Sequence, residues 1–468
     1  MMMTMKIKFK HMLFAIVLAG TFSGCKKDFL EAKPSTQIVI PTTLEDFQNL
    51  LDYDVVINRT SSLGLLSCDD YYIPTERDLL ALTPTQQNGY VWSKDLFGGE
   101  TNRVDWSMPY KSILYANSVL EGLDKIASDK GGNIVRYNSI KGQALFARAY
   151  AHFDLAKNFA PAYDPKTAGA LMGVPLKLSA SVDEIVPRAS LEDTYKQIIA
   201  DLSTAVSLLD GQFPIVNRNR SSKVAAHALF ARLYHSMREY TKAEKHADSA
   251  LLLYNKLLDY NTISTTATNP FTRTNDDVIM QSSIVQSEYN VIWANSAVNL
   301  SVDSILYSSY DSNDLRRSIF FTNNTATKLI KPKRGYSANT YAFSGLASDE
   351  LYLIKAECLA RKNESIQALN MLNNLLVKRF KTGTYRPFTI SNTVSPLTTI
   401  LLERRKELIW RGDSRWDDIK RLNMEGASIS LTRKIGGKEF TLTPNSPKYT
   451  FPIPDDEIAL GGITQNNR

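Results

Sequence analysis

Cysteine is nearly missing from this sequence, with 3 residues in 468. Three cannot build the paired framework that staples small secreted domains, so the fold must stand on its core. Cys358 lies in an apolar helical pattern and reads as an inert buried thiol. Cys68 precedes Asp69 and Asp70, with no second Cys or His at metal-ligand spacing. Histidine is almost as scarce, with 5 residues. Beyond the first segment, His152, His227, His235 and His246 all fall in helical patterns. His227 and His235 lie two turns apart and could share a face, but no Cys or carboxylate stands beside them to complete a metal set. There is no Gly-rich phosphate loop, GxSxG elbow or HExxH helix. Asp69-Asp70 and Asp417-Asp418 are adjacent acids that need not point together. A glycosidase pair, about 5–9 Å apart across a sugar, is therefore unsupported. The net charge of +7 comes without basic runs interleaved with aromatics, which argues against a nucleic-acid partner. No cofactor is implied; calcium on a loop carboxylate is the one metal left open.

What is present is bulk and aromatic surface. The length allows a large core, and 43% hydrophobic with 22% charged residues is ordinary for a globular chain. Tyrosine (22) and phenylalanine (19) are plentiful, and Tyr suits sugar faces and peptide side chains as well as cores. The N-terminus sets the expected compartment. Lys6, Lys8 and Lys10 form a basic region, and Met12 to Ala19 is apolar but short of the ~20 residues that span a bilayer. Phe22-Ser23-Gly24-Cys25 resembles a bacterial lipobox, with Phe22 where Leu is usual. That resemblance implies cleavage before Cys25 and acylation of its thiol and amine, which would anchor the chain in a lipid bilayer. Lys26-Lys27-Asp28 with Glu31 resembles a surface-export tag; a solvated tether reads nearly as well.

The expected organisation is a signal peptide at 1–24, a tether at 25–42 and one domain at 43–468. Thr43 to Asp52 predicts a first helix, with Leu44, Phe47, Leu50 and Leu51 on one face. Asn58 to Asp105 reads as loop, punctuated by Gly64, Pro74, Pro84, Gly89, Gly98 and Gly99. Met108 to Ile126 predicts a long helix. A duplication follows: Ala144-Leu145-Phe146-Ala147-Arg148-Ala149-Tyr150 recurs as Ala228-Leu229-Phe230-Ala231-Arg232-Leu233-Tyr234. Small residues flanked by aromatics resemble a tetratricopeptide (TPR) helix pair, because Ala lets helix axes approach and Tyr fills the hollow beside it. The second copy continues through Tyr240, Ala243, Ala247, Ala250 and Leu251. The first finds its second helix at Tyr195, Ile198, Leu202, Ala205 and Val206. A third uses Tyr352, Ala356 and Leu359, then Ala368, Leu372 and Leu375. Arg238 and Asn363 stand where the TPR pattern prefers Gly. The expected fold is thus mostly α: degenerate TPR pairs, about 143–254 and 348–381, carrying long irregular insertions at about 58–105 and 261–344, with minor β.

The stretch from Leu402 to Arg421 carries an apolar side (Leu402, Leu408, Ile409, Trp416) and a densely charged one. Fixed charges beside tryptophans predict a buried ion-pair girdle, since Arg lays its stem and planar head on aromatic faces while pairing with carboxylates. Gly412 is expected to stop the first helix and Asp413 or Ser414 to cap the next. Trp410 and Trp416 read as structural. Glu403, Arg404, Arg405, Glu407, Leu408, Gly412, Arg415, Trp416, Asp418, Lys420 and Arg421 resemble the C-terminal pattern of the SusD/RagB-like outer-membrane nutrient-binding lipoproteins. Arg411 departs from it, standing where an acid is common. Asp314-Leu315-Arg316 with Phe320-Phe321, and the closing Phe451-Pro452-Ile453-Pro454 to Gln465-Asn466, resemble the same family.

That resemblance implies a non-catalytic surface lipoprotein that captures a glycan and partners a TonB-dependent, SusC-like outer-membrane transporter. Candidate ligand residues lie in the two loop-rich tracts: Asp69, Asp70, Tyr71, Tyr72, Tyr90 and Trp92 in the first, and Tyr289, Trp293, Asn295, Arg334 and Tyr336 in the second. Trp293 is the leading candidate, because it sits in an insertion and not on a repeat. A peptide ligand of the RagB kind, a lipid-anchored TPR adaptor with protein partners only, and a lipoprotein hydrolase remain open at this stage.

Overall fold

The computed structural model describes residues 41–126, 132–211, 213–287 and 299–468. Thr43–Arg468 form one compact, mostly helical unit. Ten helices of eight or more residues occur among the described residues: α1 (Leu44–Leu51), α2 (Val104–Lys125), α3 (Ile134–Phe159), α4 (Leu191–Leu208), α5 (Lys223–Ser236), α6 (Tyr240–Leu253), α7 (Ser348–Arg361), α8 (Ser365–Leu376), α9 (Pro396–Glu407) and α10 (Ser414–Asn423). No described helix is long and apolar enough to cross a membrane.

Helix α1 starts where its sequence says it should. The Thr43 hydroxyl accepts from the Asp46 N–H at 3.2 Å, while the Asp46 carboxylate accepts from the Thr43 N–H at 3.0 Å. Such a reciprocal cap satisfies two donors that the first turn leaves open. Its buried face, Leu44, Phe47 and Leu51, packs on α2 and α3. Phe47 lies on Gly122 of α2, where any Cβ would strike the ring.

The duplicated heptapeptides lie on helices α3 and α5, as the repeat predicts. Pairs α3/α4, α5/α6 and α7/α8 pack internally, and α6 packs on α7, so the pairs stack. Ala149, Ala225, Ala228, Ala231, Ala243, Ala247 and Ala250 are buried along these contacts. The duplication is reproduced in detail. Phe146 and Tyr150 stack with centroids 5.9 Å apart, and Phe230 and Tyr234 do so at 5.6 Å. Each repeat arginine reaches a carboxylate on another helix: Arg148 grips Asp201 of α4 at 2.8 and 2.7 Å, and Arg232 grips Glu350 of α7 at 2.9 and 2.5 Å.

Arg238 and Asn363 occupy the left-handed region, with φ of 63° and 65°. Both turns carry the same bond pattern: Glu239 N–H donates to the Tyr234 carbonyl, and Glu364 N–H to that of Leu359. Glycine suits that position because it has no Cβ to strain. Asn363 is exposed. Asn363→Gly is expected to raise unfolding free energy by up to about 1 kcal/mol in urea melts; a loss would contradict this reading of the turn.

The tract 58–105 departs from expectation, since short helices occupy Leu63–Ser67, Glu76–Leu80 and Pro84–Tyr90. They are five to seven residues long, so the glycines and prolines that punctuate the tract bound them without removing them. The irregular lobe holds the largest core, drawing on 63–97, 258–347 and 409–463. Only two-stranded pairings occur among the described residues. One is the hairpin Leu431–Ile435 and Lys438–Leu442, turning at Gly436 and Gly437 with φ of 57° and 73°.

The charged stretch folds differently at its bend than its sequence suggests. Helix α9 ends at Glu407, before Gly412, and Trp410 is the first left-handed residue at φ 60°. Asp413 holds the N-cap position of α10 without capping it. Its carboxylate accepts instead from Leu65 N–H at 3.3 Å and Asn158 Nδ2 at 3.0 Å, while Ser414 Oγ donates to the Arg411 carbonyl at 2.7 Å. Long-range partners outbid the local cap.

The ion-pair girdle is present and buried. Arg316, wholly buried, donates to Asp314 at 2.9 and 2.7 Å, to Glu403 at 2.6 Å and to Glu407 at 3.1 Å. Arg379 bridges Glu407 at 2.7 Å and Asp277 at 2.9 Å, lying 4.1 Å over the Tyr260 ring. Arg411, the departure from the family pattern, pairs with Asp349 and lies 3.9 Å over Tyr336. Farther on, Arg404 meets Asp418, and Arg421 meets Asp418 and Glu357. The network ties α7, α9 and α10 to the loop lobe.

Candidate functional site

Asp314 of the girdle also lines an open groove of 580 Å³. The short helix Arg316–Ile319 carries two adjacent arginines about 100° apart around its axis. Arg316 therefore enters the buried network, while Arg317 turns out and lies 4.8 Å over the ring of Tyr307. Tyr307 comes from the short helix Ser304–Ser308, whose first turn is capped by Asp303 accepting from Leu306 N–H at 2.8 Å. Phe321 meets Tyr307 edge-on at 5.5 Å. Its strand, Phe321–Asn323, pairs antiparallel with Ile330–Pro332. Lys333 closes one side by donating to the carbonyls of Thr265 at 2.6 Å and Ser318 at 2.8 Å.

The wall is hydroxylic and cationic: Thr265, Thr266, Thr268, Thr322, Asn323 and Lys381 complete it. Burial lowers the Lys333 pKa. Asp314 is the one carboxylate in the lining. Burial alone would raise its pKa, but the Arg316 guanidinium outweighs that and holds it below the usual carboxylate range. Asp314 is thus a fixed anion committed to Arg316, with no second acid in the lining to share general acid–base work. The groove offers an aromatic ring, hydroxyls, an amide and cations. That set can hold a polyhydroxylated ligand and supplies no paired acid and base.

The residues expected to bind from sequence are dispersed. Asp69 is gripped by Arg415 at 2.7 and 2.8 Å, and Asp70 meets Arg405 at 3.3 Å. Burial raises Asp70 to about 6, while Asp69 stays low: burial would lift it, and Arg415 more than offsets that. Tyr71, Tyr90 and Trp92 are each 2% exposed. They form a core cage around Arg433, whose guanidinium lies 3.7 Å from the Tyr90 centroid and 5.1 Å from those of Tyr71 and Trp92. Tyr336 is buried, donating to Asp277 at 2.5 Å. The structure thus places Tyr71, Tyr90, Trp92 and Tyr336 in the core, each with an arginine guanidinium over its ring. Tyr72 remains exposed, and the half-buried Arg334 borders the groove, its N–H donating to Thr268 at 3.3 Å. Tyr289, Trp293 and Asn295, like Cys25, lie outside the described residues. His227 and His235 do not act together: His227 faces His246, with Nδ1 atoms 3.0 Å apart, and His235 meets Glu357 at 2.8 Å. Among the described residues no three or more His, Cys, Asp or Glu side chains are grouped to hold a metal.

Sequence reasoning missed Tyr307, Arg317 and Lys333. Asp314, Leu315 and Phe321, which line the groove, stand out in the sequence only through the family resemblance of their segment.

Comparisons with known proteins bear on most of the chain. A family described as starch-binding and associating with the outer membrane matches residues 28–235, and the SusD family matches 321–468. No curated protein matches the sequence. Among solved structures, a SusD superfamily protein of Bacteroides thetaiotaomicron superposes with a TM-score of 0.72 at 23% identity, covering 91% of this chain and 100% of its own. One from Bacteroides fragilis gives 0.71 at 21%, with 91% and 99% covered. A SusD-like carbohydrate-binding protein of Bacteroides vulgatus gives 0.66 at 20%, with 90% and 97% covered. At these identities the structures speak for the fold, and the two family matches, one in each half of the chain, speak for descent. With the TPR-like pairs and the charged C-terminal pattern, they assign the chain to the SusD/RagB-like family.

Proposed function

We propose that this protein captures a glycan without altering it, holding it in the Tyr307–Arg317 groove. The observation that carries this reading is the groove's lining: an arginine-backed tyrosine ring amid hydroxyls and an amide, with its single carboxylate locked to Arg316. A sugar needs a flat apolar patch for its C–H face and planar polar groups for its hydroxyls. Family membership supports the rest of the proposal. The chain is anchored by an acylated Cys25 at the cell surface and hands its cargo to a TonB-dependent, SusC-like transporter.

Isothermal titration of the purified chain against oligosaccharides and against peptide pools tests the cargo. Oligosaccharides are expected to bind. Tyr307→Ala and Arg317→Ala are each expected to weaken binding about tenfold, equivalent to about 1.4 kcal/mol, with the melting temperature of Arg317→Ala unchanged. Heat from peptides alone would replace the glycan reading with a peptide one, and turnover of a bound glycan would contradict capture without chemistry. Protease shaving of intact cells checks the location; a chain untouched from outside would contradict surface exposure.

A further inference from the structure

The lining of the Tyr307–Arg317 groove is unbalanced in charge. Arg317, Lys333 and Lys381 stand in it against one carboxylate, Asp314. That carboxylate is already taken: Arg316 donates to it at 2.9 and 2.7 Å, and Lys406 Nζ is 3.5 Å away. Asp311, beside the lining residue Ser312, is exposed and accepts from the Asn313 N–H at 2.7 Å.

The imbalance is written into the sequence. From Leu315 to Ser348 there is no Asp or Glu, against Arg316, Arg317, Lys328, Lys331, Lys333 and Arg334. Tyr260 to Asn275, which supplies the threonines, holds no acid, and neither does Ser365 to Leu402, which supplies Lys381. The chain as a whole is nearly balanced, with 55 basic and 48 acidic residues. Three acid-free tracts therefore meet at one groove.

The lining cations also lack counter-charges. Half-buried Arg317 makes no ion pair and no side-chain hydrogen bond among the described residues, whereas Arg316, Arg379 and Arg411 each grip a carboxylate. Its stacking on Tyr307 occupies the flat face of the guanidinium and leaves the N–H edge free. Such an edge matches two oxygens of a carboxylate or a sulfate. Lys333 Nζ has two carbonyl partners and a third N–H open. Burial lowers its pKa, and no carboxylate raises it back. Lys381 is exposed and forms no ion pair among the described residues.

We infer that the glycan this groove receives is acidic: a uronate carboxylate or a sulfate ester on the sugar is held by the Arg317 guanidinium, with Lys333 and Lys381 adding positive potential along the groove. The inference rests on the reading of the groove as a glycan site.

Paired probes isolate the charge. Titrate the purified chain by calorimetry with tetragalacturonate and its methyl ester, and with a sulfated galactose tetrasaccharide and its desulfated form. One charged member is expected to bind at least about tenfold tighter than its neutral counterpart, and to weaken as salt is raised. Whichever pair shows the preference names the substituent. Arg317→Gln is expected to cut that preference about tenfold, and Lys381→Gln, at an exposed position, about threefold. Charged and neutral members binding alike, or neutral oligosaccharides alone binding, with affinity lost in Tyr307→Ala, would overturn the acidic assignment and leave the glycan reading standing. A preference unchanged in both folded variants would overturn it too. No heat from any oligosaccharide, charged or neutral, would overturn both readings together.

Discussion

Replacing Arg316 with methionine is expected to destabilise the protein by about 3–5 kcal/mol, the cost of breaking a buried ion pair from one side. Arg316 is wholly buried and holds Asp314, Glu403 and Glu407 together. Without it, Lys406 is left to serve both Glu403, at 2.7 Å, and Asp314, at 3.5 Å. Among the described residues Glu407 then keeps only Arg379, which must also serve Asp277. Methionine fills much of the volume but offers no proton to three carboxylates. Urea denaturation reads the loss directly. Removing one carboxylate charge in the same chain, as Glu403→Gln with Arg316→Met, leaves Lys406 to Asp314 and is expected to recover part of it. A single variant within about 1 kcal/mol of the parent would show that the girdle is dispensable for stability. Because Arg317 is the next residue, the double variant also asks whether the groove keeps its shape when the charge beneath it is rebalanced.

How far the sequence could be read follows from the reach of each interaction. The repeat pairs were legible because their determinants are local: alanines and aromatics at helical spacing within one heptapeptide, and a left-handed turn two residues after the helix α5. The charged C-terminal stretch was legible as a girdle in kind, since so many fixed charges beside Trp410 and Trp416 had to be paired. Its partners were not legible. Asp277, Asp314, Asp349 and Arg379 come from segments up to about 130 residues away, brought in by the fold. The partners of the first loop tract were hidden for the same reason. Tyr71, Tyr90 and Trp92 looked like ligand platforms because Arg433, more than 300 residues later, is invisible beside them until the hairpin folds over. The groove was missed because its lining is pooled from short pieces at 265–268, 307–323 and 332–333, with Lys381 from farther on, none of which has a period of its own. Adjacent residues with opposite fates, Arg316 inward and Arg317 outward, need a helix axis before they can be told apart.

Replacing His152 with leucine is expected to stabilise the protein, and to do so more at pH 5 than at pH 7. His152 sits on α3 with no exposed surface, and apart from a contact with the Arg148 backbone its ring nitrogens are unpartnered. An unpaired buried polar atom costs about 1–3 kcal/mol, so an apolar side chain of similar volume should gain on that count at neutral pH. The pH dependence is a separate effect. Burial, and then the charge of Arg148, push the His152 pKa down to about 3 from an ordinary 6.5. Between those values the unfolded chain binds a proton that the folded chain refuses. Stability attributable to this residue therefore rises with pH through that window and is lost as pH falls below 6.5. At pH 5 the unfolded state gains about 2 kcal/mol from protonating His152. Neighbouring carboxyls pull the other way: burial raises Asp154 to about 8 and Asp413 to about 6. Both are present in parent and variant, so they cancel in the difference. Urea melts of the two proteins at pH 5 and pH 7 give that difference at each pH. It should widen by about 2 kcal/mol on acidification; a gap that stays constant would mean that His152 is protonated, or partnered, in the folded chain.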